Sequence, residues 1–138
     1  MHLTPIDDLS ILGILVGAVL HFVLGAAWYS PALFSKQWMA ALGKSTEGSP
    51  GMPLAGMGAN GIGALVSTAV VGILYLWGGG DGALDGIVAG LLVGVGVVAM
   101  ENLNRPFYEG APWALYAINS GYAVAGFALA GLGYAIIA

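Results

Sequence analysis

Charge and cysteine are what this chain lacks. Only three basic and seven acidic residues occur among its 138, so 7% of the chain is charged, whereas soluble domains carry about 25%. A core this apolar would have too little polar surface to cover it in water, so the sequence indicates a protein that lives in a lipid bilayer. The absence of cysteine excludes disulfides, thiol catalysis and thiolate metal sites.

The chain also lacks the residues that are characteristic of several other classes of protein. A net charge of −4 with three basic residues leaves no basic patch for nucleic acid. Two histidines do not form a His-rich metal site, and the HExxH, GxSxG and P-loop lysine patterns are absent. The sequence therefore predicts no enzyme, no cofactor and no metal. The first ten residues hold two aspartates and no Lys or Arg, so we expect the first helix to be retained rather than cleaved as a signal peptide.

Long apolar segments supply the fold prediction. A membrane-spanning helix takes about 20 apolar residues, and four segments qualify, at 9–29, 54–77, 84–103 and 112–137. No segment alternates in the manner of a barrel strand. We predict one all-α transmembrane domain over 1–138, a four-transmembrane-helix bundle. The long first loop contains amphipathic helical spacing over 33–42, which predicts a short interfacial helix, and a flexible turn over 45–53.

The basic residues predict an orientation. Lys36, Lys44 and Arg105 all fall on the side that holds the long loop and the 104–111 turn. The positive-inside rule places that side in the cytoplasm and both termini outside. The same one-sided count argues against a dual-topology dimer like that of a small multidrug exporter. None of the first, second and fourth spans carries the interior acid that such a proton-coupled pump needs.

An internal repeat is suggested by matching residues. Pro31 precedes Trp38 by seven residues, as Pro106 precedes Trp113. Five positions of the second span also match the fourth span at an offset of 59 residues, namely Asn60, Ala64, Ala69, Gly72 and Tyr75 with Asn119, Ala123, Ala128, Gly131 and Tyr134. Two parallel-repeat helical hairpins would explain the matches. Chance matching in a chain built from few residue types would explain them too.

Glycines at four-residue spacing mark helix-packing faces, because small side chains let membrane helices approach closely. The candidates are Gly13, Gly17 and Gly25 in the first span, Gly56 and Gly72 in the second, and Gly86, Gly90 and Gly94 in the third. These are more small-residue faces than one small bundle is expected to use. The sequence therefore favours a homo-oligomer, or other membrane protein subunits, as partners in the lipid bilayer.

Polar residues within the spans are the candidate functional site, because intramembrane polar groups usually face protein or a water-filled cavity. They are His21, Asn60, Glu101, Asn102, Arg105 and Asn119, all in the predicted cytoplasmic half. One interpretation is hydrogen bonding between helices, with Glu101 and Arg105 forming an i,i+4 ion pair. The other is a pocket open to the cytoplasm that holds a small ligand, a lipid headgroup or a proton.

Aromatic residues cluster at the same level and predict an interfacial belt. They are Trp28, Tyr29, Trp38, Phe107, Tyr108 and Trp113. Pro106 is expected to end the third span, because proline cannot continue a helix without losing a hydrogen bond.

Two segments carry a family resemblance, GAAWYSPALFSKQW at 25–38 and ENLNRPFYEGAPWALYAINSGY at 101–122. With four spans, they resemble the domain of unknown function 1761, a family of small bacterial integral membrane proteins. That resemblance implies the architecture and a bacterial inner membrane, and it implies no activity. From the residues we expect a non-catalytic membrane protein, either an accessory subunit or a self-associating bundle. The alternative is a carrier or binding protein for a small ligand, lipid headgroup or proton.

Overall fold

The computed structural model describes residues 5–43 and 54–138, and all regular secondary structure in these ranges is helical. The elements are a 3₁₀ turn at Pro5–Asp8, α1 (Ile11–Trp28), α2 (Ser35–Ala41), α3 (Leu54–Trp77), α4 (Ala83–Val93), a π-helical segment (Gly94–Ala99), α5 (Met100–Asn102), α6 (Asn104–Tyr108) and α7 (Trp113–Ile137). Lys44 and the turn predicted over 45–53 lie outside the described residues.

Four stretches are long and apolar enough to cross a membrane: α1, α3, Ala83–Tyr108 and α7. The prediction of an all-α bundle with four membrane-spanning helices is therefore confirmed, and α2 lies where the first loop was predicted to form a short helix. We call the end of the bundle that holds residues 29–43 and 103–112 the loop side. The opposite end, where α1 begins and α7 finishes, is the terminal side.

The centre of the bundle is α7. Half of its spanning window is buried inside the protein, against 28% for each of the other three spans. It packs along both α1 and α4, and α3 contacts all three of these helices less extensively. Ala130 and Tyr134 on α7 are fully buried, so the core lies along this helix.

Close helix approaches explain why α7 can have so many neighbours. A Cβ added at Gly86 would collide with the Gly131 carbonyl oxygen, and one at Gly131 with that of Gly86. A Cβ at Gly17 would lie 2.5 Å from the Ala130 carbonyl oxygen. The backbones of α4 and α1 thus pack directly on α7, and the small residues at these positions are what permits it.

Two tyrosines join the hairpins at the terminal side. The Tyr134 hydroxyl at the end of α7 accepts a hydrogen bond from the Ser10 backbone N–H at 3.1 Å, just before α1. The Tyr75 hydroxyl at the end of α3 accepts one from the Gly82 N–H at 3.0 Å, just before α4. The two rings meet edge to face, 5.7 Å apart. Each hairpin therefore ends in a tyrosine that holds the start of the other hairpin, an arrangement that fits the suggested repeat.

The third span is not one regular helix. It changes from α4 to the π-helical segment, continues through α5, turns at Leu103, and resumes as α6. Pro106 is the third residue of α6, so the prediction that it ends the span was wrong. In the first turn of a helix a backbone N–H has no intrahelical acceptor, so proline costs nothing there. The chain instead leaves the helix at Gly110, whose φ of +66° suits glycine.

Candidate functional site

The loop end of α1 is fastened to α7 by two aromatic side chains. The Trp28 indole Nε1–H donates to the Ile118 carbonyl oxygen at 2.9 Å. The Tyr29 hydroxyl donates to Asn119 Oδ1 at 2.7 Å. The sequence predicted Trp28 and Tyr29 as part of the interfacial aromatic belt and Asn119 as part of the polar pocket. In the structure they bond the two helices to one another.

The third span is fastened to the same part of α7. Asn102 Nδ2–H donates to the Ser120 hydroxyl at 3.2 Å, and Ser120 is buried. Asn102 follows the π-helical segment, in which the buried Gly94 packs on the Val124 Cα of α7. These three hydrogen bonds form one layer, which we call the polar layer; its side chains are Trp28, Tyr29, Asn102, Asn119 and Ser120.

A shallow crevice opens beside the polar layer, between α6 and the start of α7. Its lining residues are Asn102, Arg105, Pro106, Ala111, Leu115, Tyr116 and Asn119. Three of the six predicted pocket residues therefore line one crevice: Asn102, Arg105 and Asn119. A guanidinium and two amides at that position can bind an oxyanion or another small polar group.

Arg105 pairs with a different acid from the one predicted. Its Nε lies 3.1 Å from Glu109 Oε2, an i,i+4 pair, and Glu101 is exposed on α5. Glu101 and Glu109 are both four residues from Arg105, and the Arg105 side chain reaches Glu109, which directly follows α6. The predicted Glu101–Arg105 pair was therefore wrong. Both partners of the observed pair are about half exposed or more, so solvent screens it and it contributes little to stability.

His21 lies deeper in the bundle and away from the crevice. It is 5% exposed, and its imidazole packs on the α7 backbone, because a Cβ added at Gly126 would lie 2.6 Å from His21 Cδ2. The rings of Tyr122 and Phe127 flank it at 5.3 Å each. Within the described part of the chain, His21 Nδ1 has no hydrogen-bond partner.

Asn60 is also separate from the crevice. It is half-buried on α3, in a part of that helix where the added Cβ atoms of Gly58, Gly61 and Gly63 would meet no atom of the described residues within 4 Å. The six predicted pocket residues thus divide into a crevice group and three others: His21 in the core, Asn60 on α3 and Glu101 on the surface.

The predicted aromatic residues all lie at the loop side. Trp28 stacks on Phe34 at 4.8 Å and Tyr29 meets Trp38 at 5.3 Å, which holds α2 against the bundle. Phe107 and Trp113 form an edge-to-face pair at 5.5 Å. Phe107, Tyr108 and Trp113 are mostly exposed, so they present an apolar aromatic surface at this level.

A second depression is wholly apolar and lies between α1 and α3. It is lined by Leu15, Ala18, Val19, Phe22, Gly61, Ala64 and Leu65. In residues 5–43 and 54–138, no three His, Asp or Glu side chains gather in a way that could hold a metal ion.

Sequence reasoning missed several of the residues that bond or pack at these positions. Tyr75 and Tyr134 were noticed only as repeat matches, and that offset of 59 was the available signal for their shared role. Tyr122, which packs on His21, lies four residues before Gly126 on the same face of α7, and helical spacing alone does not identify it. Glu109 was not predicted as the partner of Arg105, because it follows the predicted end of the helix.

Comparison with known proteins yields a family and nothing narrower. No curated protein and no solved structure matches the chain. A family model described as "Protein of unknown function (DUF1761)" matches residues 12–134, nearly the whole of the bundle. The chain is therefore a member of the DUF1761 family.

Proposed function

We propose that this protein is a non-catalytic membrane module, either an accessory subunit of a larger membrane complex or a self-associating bundle. The observation that carries the proposal is the open loop-side half of α3. Added Cβ atoms at Gly58, Gly61 and Gly63 would meet nothing within 4 Å, although close helix packing is what small residues in membrane helices usually serve. Among the described residues, these three glycines of α3 have no helix packed on them.

The predicted packing glycines of the first and third spans lie against helices of the same chain. Gly13, Gly17 and Gly25 of α1 contact α7 or Thr68, and Gly86 and Gly90 of α4 contact the α7 backbone. Gly96 in the π-helical segment is exposed, and its added Cβ meets no described atom within 4 Å. A partner helix would bind at α3, which carries three such glycines.

The polar layer supports the same proposal, because its side chains already have partners inside the protomer. Tyr29 bonds Asn119, and Asn102 bonds Ser120. Hydrogen bonds between membrane helices contribute roughly 0.6 to 2 kcal/mol each, enough to fix the loop ends of α1 and α5 on α7. Side chains used in this way stabilise the bundle and need no ligand.

For the setting of this module we propose a bacterial inner membrane with the loop side in the cytoplasm. Lys36 and Arg105 are exposed at the loop side, and both termini would then lie outside. The exposed aromatic residues 107, 108 and 113 would sit at the lipid headgroups, where amphipathic rings are favoured.

The crevice favours a second candidate function, a carrier or binding protein for a small ligand, a lipid headgroup or a proton. Arg105, Asn102 and Asn119 converge on it, and the guanidinium has donors beyond the Nε used by Glu109. His21 adds a buried ring nitrogen without a partner in the described chain.

Native mass spectrometry of the protein, released gently from its own membrane, separates the two functions. The module function is expected to give a defined homo-oligomer or a complex with a second protein, without small adducts. A monomer that carries a stoichiometric small molecule or a single lipid would overturn the module function. Loss of that adduct in the Arg105→Ala variant, but not in Lys36→Ala, would then assign it to the crevice.

A further inference from the structure

We propose that the π-helical segment of the third span is a register switch, which decides whether Asn102 or Glu101 faces Ser120 beside the crevice. In the described register, Asn102 holds that place. In the second register the segment winds as an α-helix and Glu101 replaces Asn102. Because the switch would regulate the crevice, it rests on the second candidate function, although the register itself can be measured without a ligand.

The third span contains one residue more than a regular α-helix of the same register needs. The side of the segment that packs on α7 holds the buried Gly94 and Ala99, and Asn102 continues that side by bonding Ser120. These three residues follow one another at intervals of five and three. An α-helix keeps one face at intervals of four and three. The wider turn of the π-helix therefore accommodates one extra residue between Gly94 and Ala99.

Without that extra residue, different side chains would face α7. An α-helix turns by about 100° per residue, so the fourth and seventh residues after Gly94, which are Val98 and Glu101, would share its face. Asn102, the eighth, would point about 80° away from it. In the structure Glu101 is exposed and Asn102 is half-buried. The choice between an amide and a carboxylate at Ser120 therefore depends on how this one segment winds.

Few contacts hold the segment in its π-helical form. Three consecutive residues of it, 95–97, are exposed, and an added Cβ at Gly96 meets no described atom within 4 Å. Rewinding would break the hydrogen bond of Asn102 and would place Val98 where the smaller Ala99 packs. Small residues favour close packing between membrane helices, so the described register is the resting one. Single π-helical turns within α-helices are frequent at functional sites.

The second register supplies contacts that replace those of the first. The Ser120 hydroxyl, which accepts from Asn102 in the described register, can instead donate to the Glu101 carboxylate, and hydrogen bonds to an ionised acceptor are stronger than neutral ones. The extra residue passes to the turn at Leu103, whose N–H already bonds the carbonyl three residues before it rather than four. The helix α6, with Arg105, therefore keeps its place.

The exchange would change what the crevice can bind. Asn102 and Arg105 line the same crevice, so a carboxylate in the place of Asn102 faces the guanidinium and opposes its charge. With Asn102 there, a guanidinium and amides are available to an anionic group. With Glu101 there, an anion is repelled. The two registers are thus an open and a closed state of the crevice for anions.

Pairs of cysteines can report the two registers, because the chain has no native cysteine and a disulfide needs Cα atoms within about 7 Å. Asn102→Cys with Ser120→Cys reports the described register. Glu101→Cys with Ser120→Cys reports the second register. Mild oxidation of native membranes is expected to cross-link both pairs, the first to a higher yield.

Deletion of Val97 should lock the span in one register. It leaves Ala99 and Asn102 as the fourth and seventh residues after Gly94, which an all-α span directs to α7. In this background the cross-link at Asn102→Cys is expected to persist and the cross-link at Glu101→Cys to be lost. Persistence of the Glu101→Cys cross-link after the deletion, or its absence in the full-length chain, would overturn the switch.

Deletion of Val88 is the matched control, because it removes the same type of exposed side chain from the regular helix α4. There it turns all later residues by about 100° relative to Gly86, so Gly86 and Gly90 cannot both keep their contacts with the α7 backbone. We expect the Val97 deletion to unfold at close to the same denaturant level as the full-length chain and the Val88 deletion at a much lower one. Equal losses of stability would refute the extra residue and with it the switch.

Failure of the second candidate function has a different signature. Native mass spectra without a small adduct would remove the ligand of the crevice, while the two cross-links would still appear as expected. A single cross-linked register together with an adduct that Arg105→Ala abolishes would overturn the switch and leave the binding function standing.

Discussion

The contact between α4 and α7 can be tested by one methyl group. In Gly90→Ala the added Cβ would overlap the Phe127 carbonyl, and the nearest obstacle is backbone rather than a mobile side chain. The two helices must therefore separate or shift. Overpacking of this kind costs about 1–3 kcal/mol, and it is opposed by the gain in helix propensity from glycine to alanine, which is up to about 1 kcal/mol.

The matched control is Gly61→Ala on α3, where the same methyl meets nothing within 4 Å. The propensity gain is common to both substitutions and cancels in their difference. The free energy of unfolding of Gly90→Ala is therefore expected to lie about 1–3 kcal/mol below that of Gly61→Ala. Reversible unfolding in mixed detergent micelles with increasing SDS, followed by tryptophan fluorescence, measures both. If the two variants unfold at the same SDS fraction, the close α4–α7 approach is refuted.

Three further substitutions test other parts of the bundle in the same assay. Tyr134→Phe removes the hydroxyl that accepts from the Ser10 N–H and should lower the free energy of unfolding by about 0.5–1.5 kcal/mol. An unchanged unfolding curve would show that this hydroxyl does not stabilise the contact between the hairpins. Asn119→Ala should cost roughly 0.6–2 kcal/mol through loss of the Tyr29 bond, whereas an effect confined to dimer formation would contradict its role inside the protomer. His21→Leu should change stability by less than about 1.5 kcal/mol, because it replaces a buried ring whose Nδ1 has no partner in the described residues by an apolar side chain of similar size; a larger loss would mean that the imidazole is bonded.

The spans could be predicted because the length of an apolar run is a local property of the sequence. The second span was predicted at 54–77 and α3 is Leu54–Trp77; the fourth was predicted at 112–137 and α7 is Trp113–Ile137. In a bilayer every backbone polar group must be satisfied within the segment, so an apolar run of this length has no alternative to a helix. The four-helix architecture followed from that alone.

The internal course of the third span could not be predicted in this way. Its composition is uniformly apolar through the π-helical segment at Gly94–Ala99, and no breaking residue marks the change. Two acids lie four residues from Arg105, one on each side, so spacing alone does not decide the pair. The sequence favoured Glu101, whereas in the structure Arg105 pairs with Glu109.

The candidate site was predicted in part. Of the six predicted polar residues, Asn102, Arg105 and Asn119 line one crevice at the loop side. Helical spacing could not show that α7 lies at the centre of the bundle. That central position separates Asn102, Arg105 and Asn119 from the other three predicted residues. Glycine rows look alike in the sequence, whereas in the structure those of α1 and α4 lie against α7 and the loop-side half of α3 remains open.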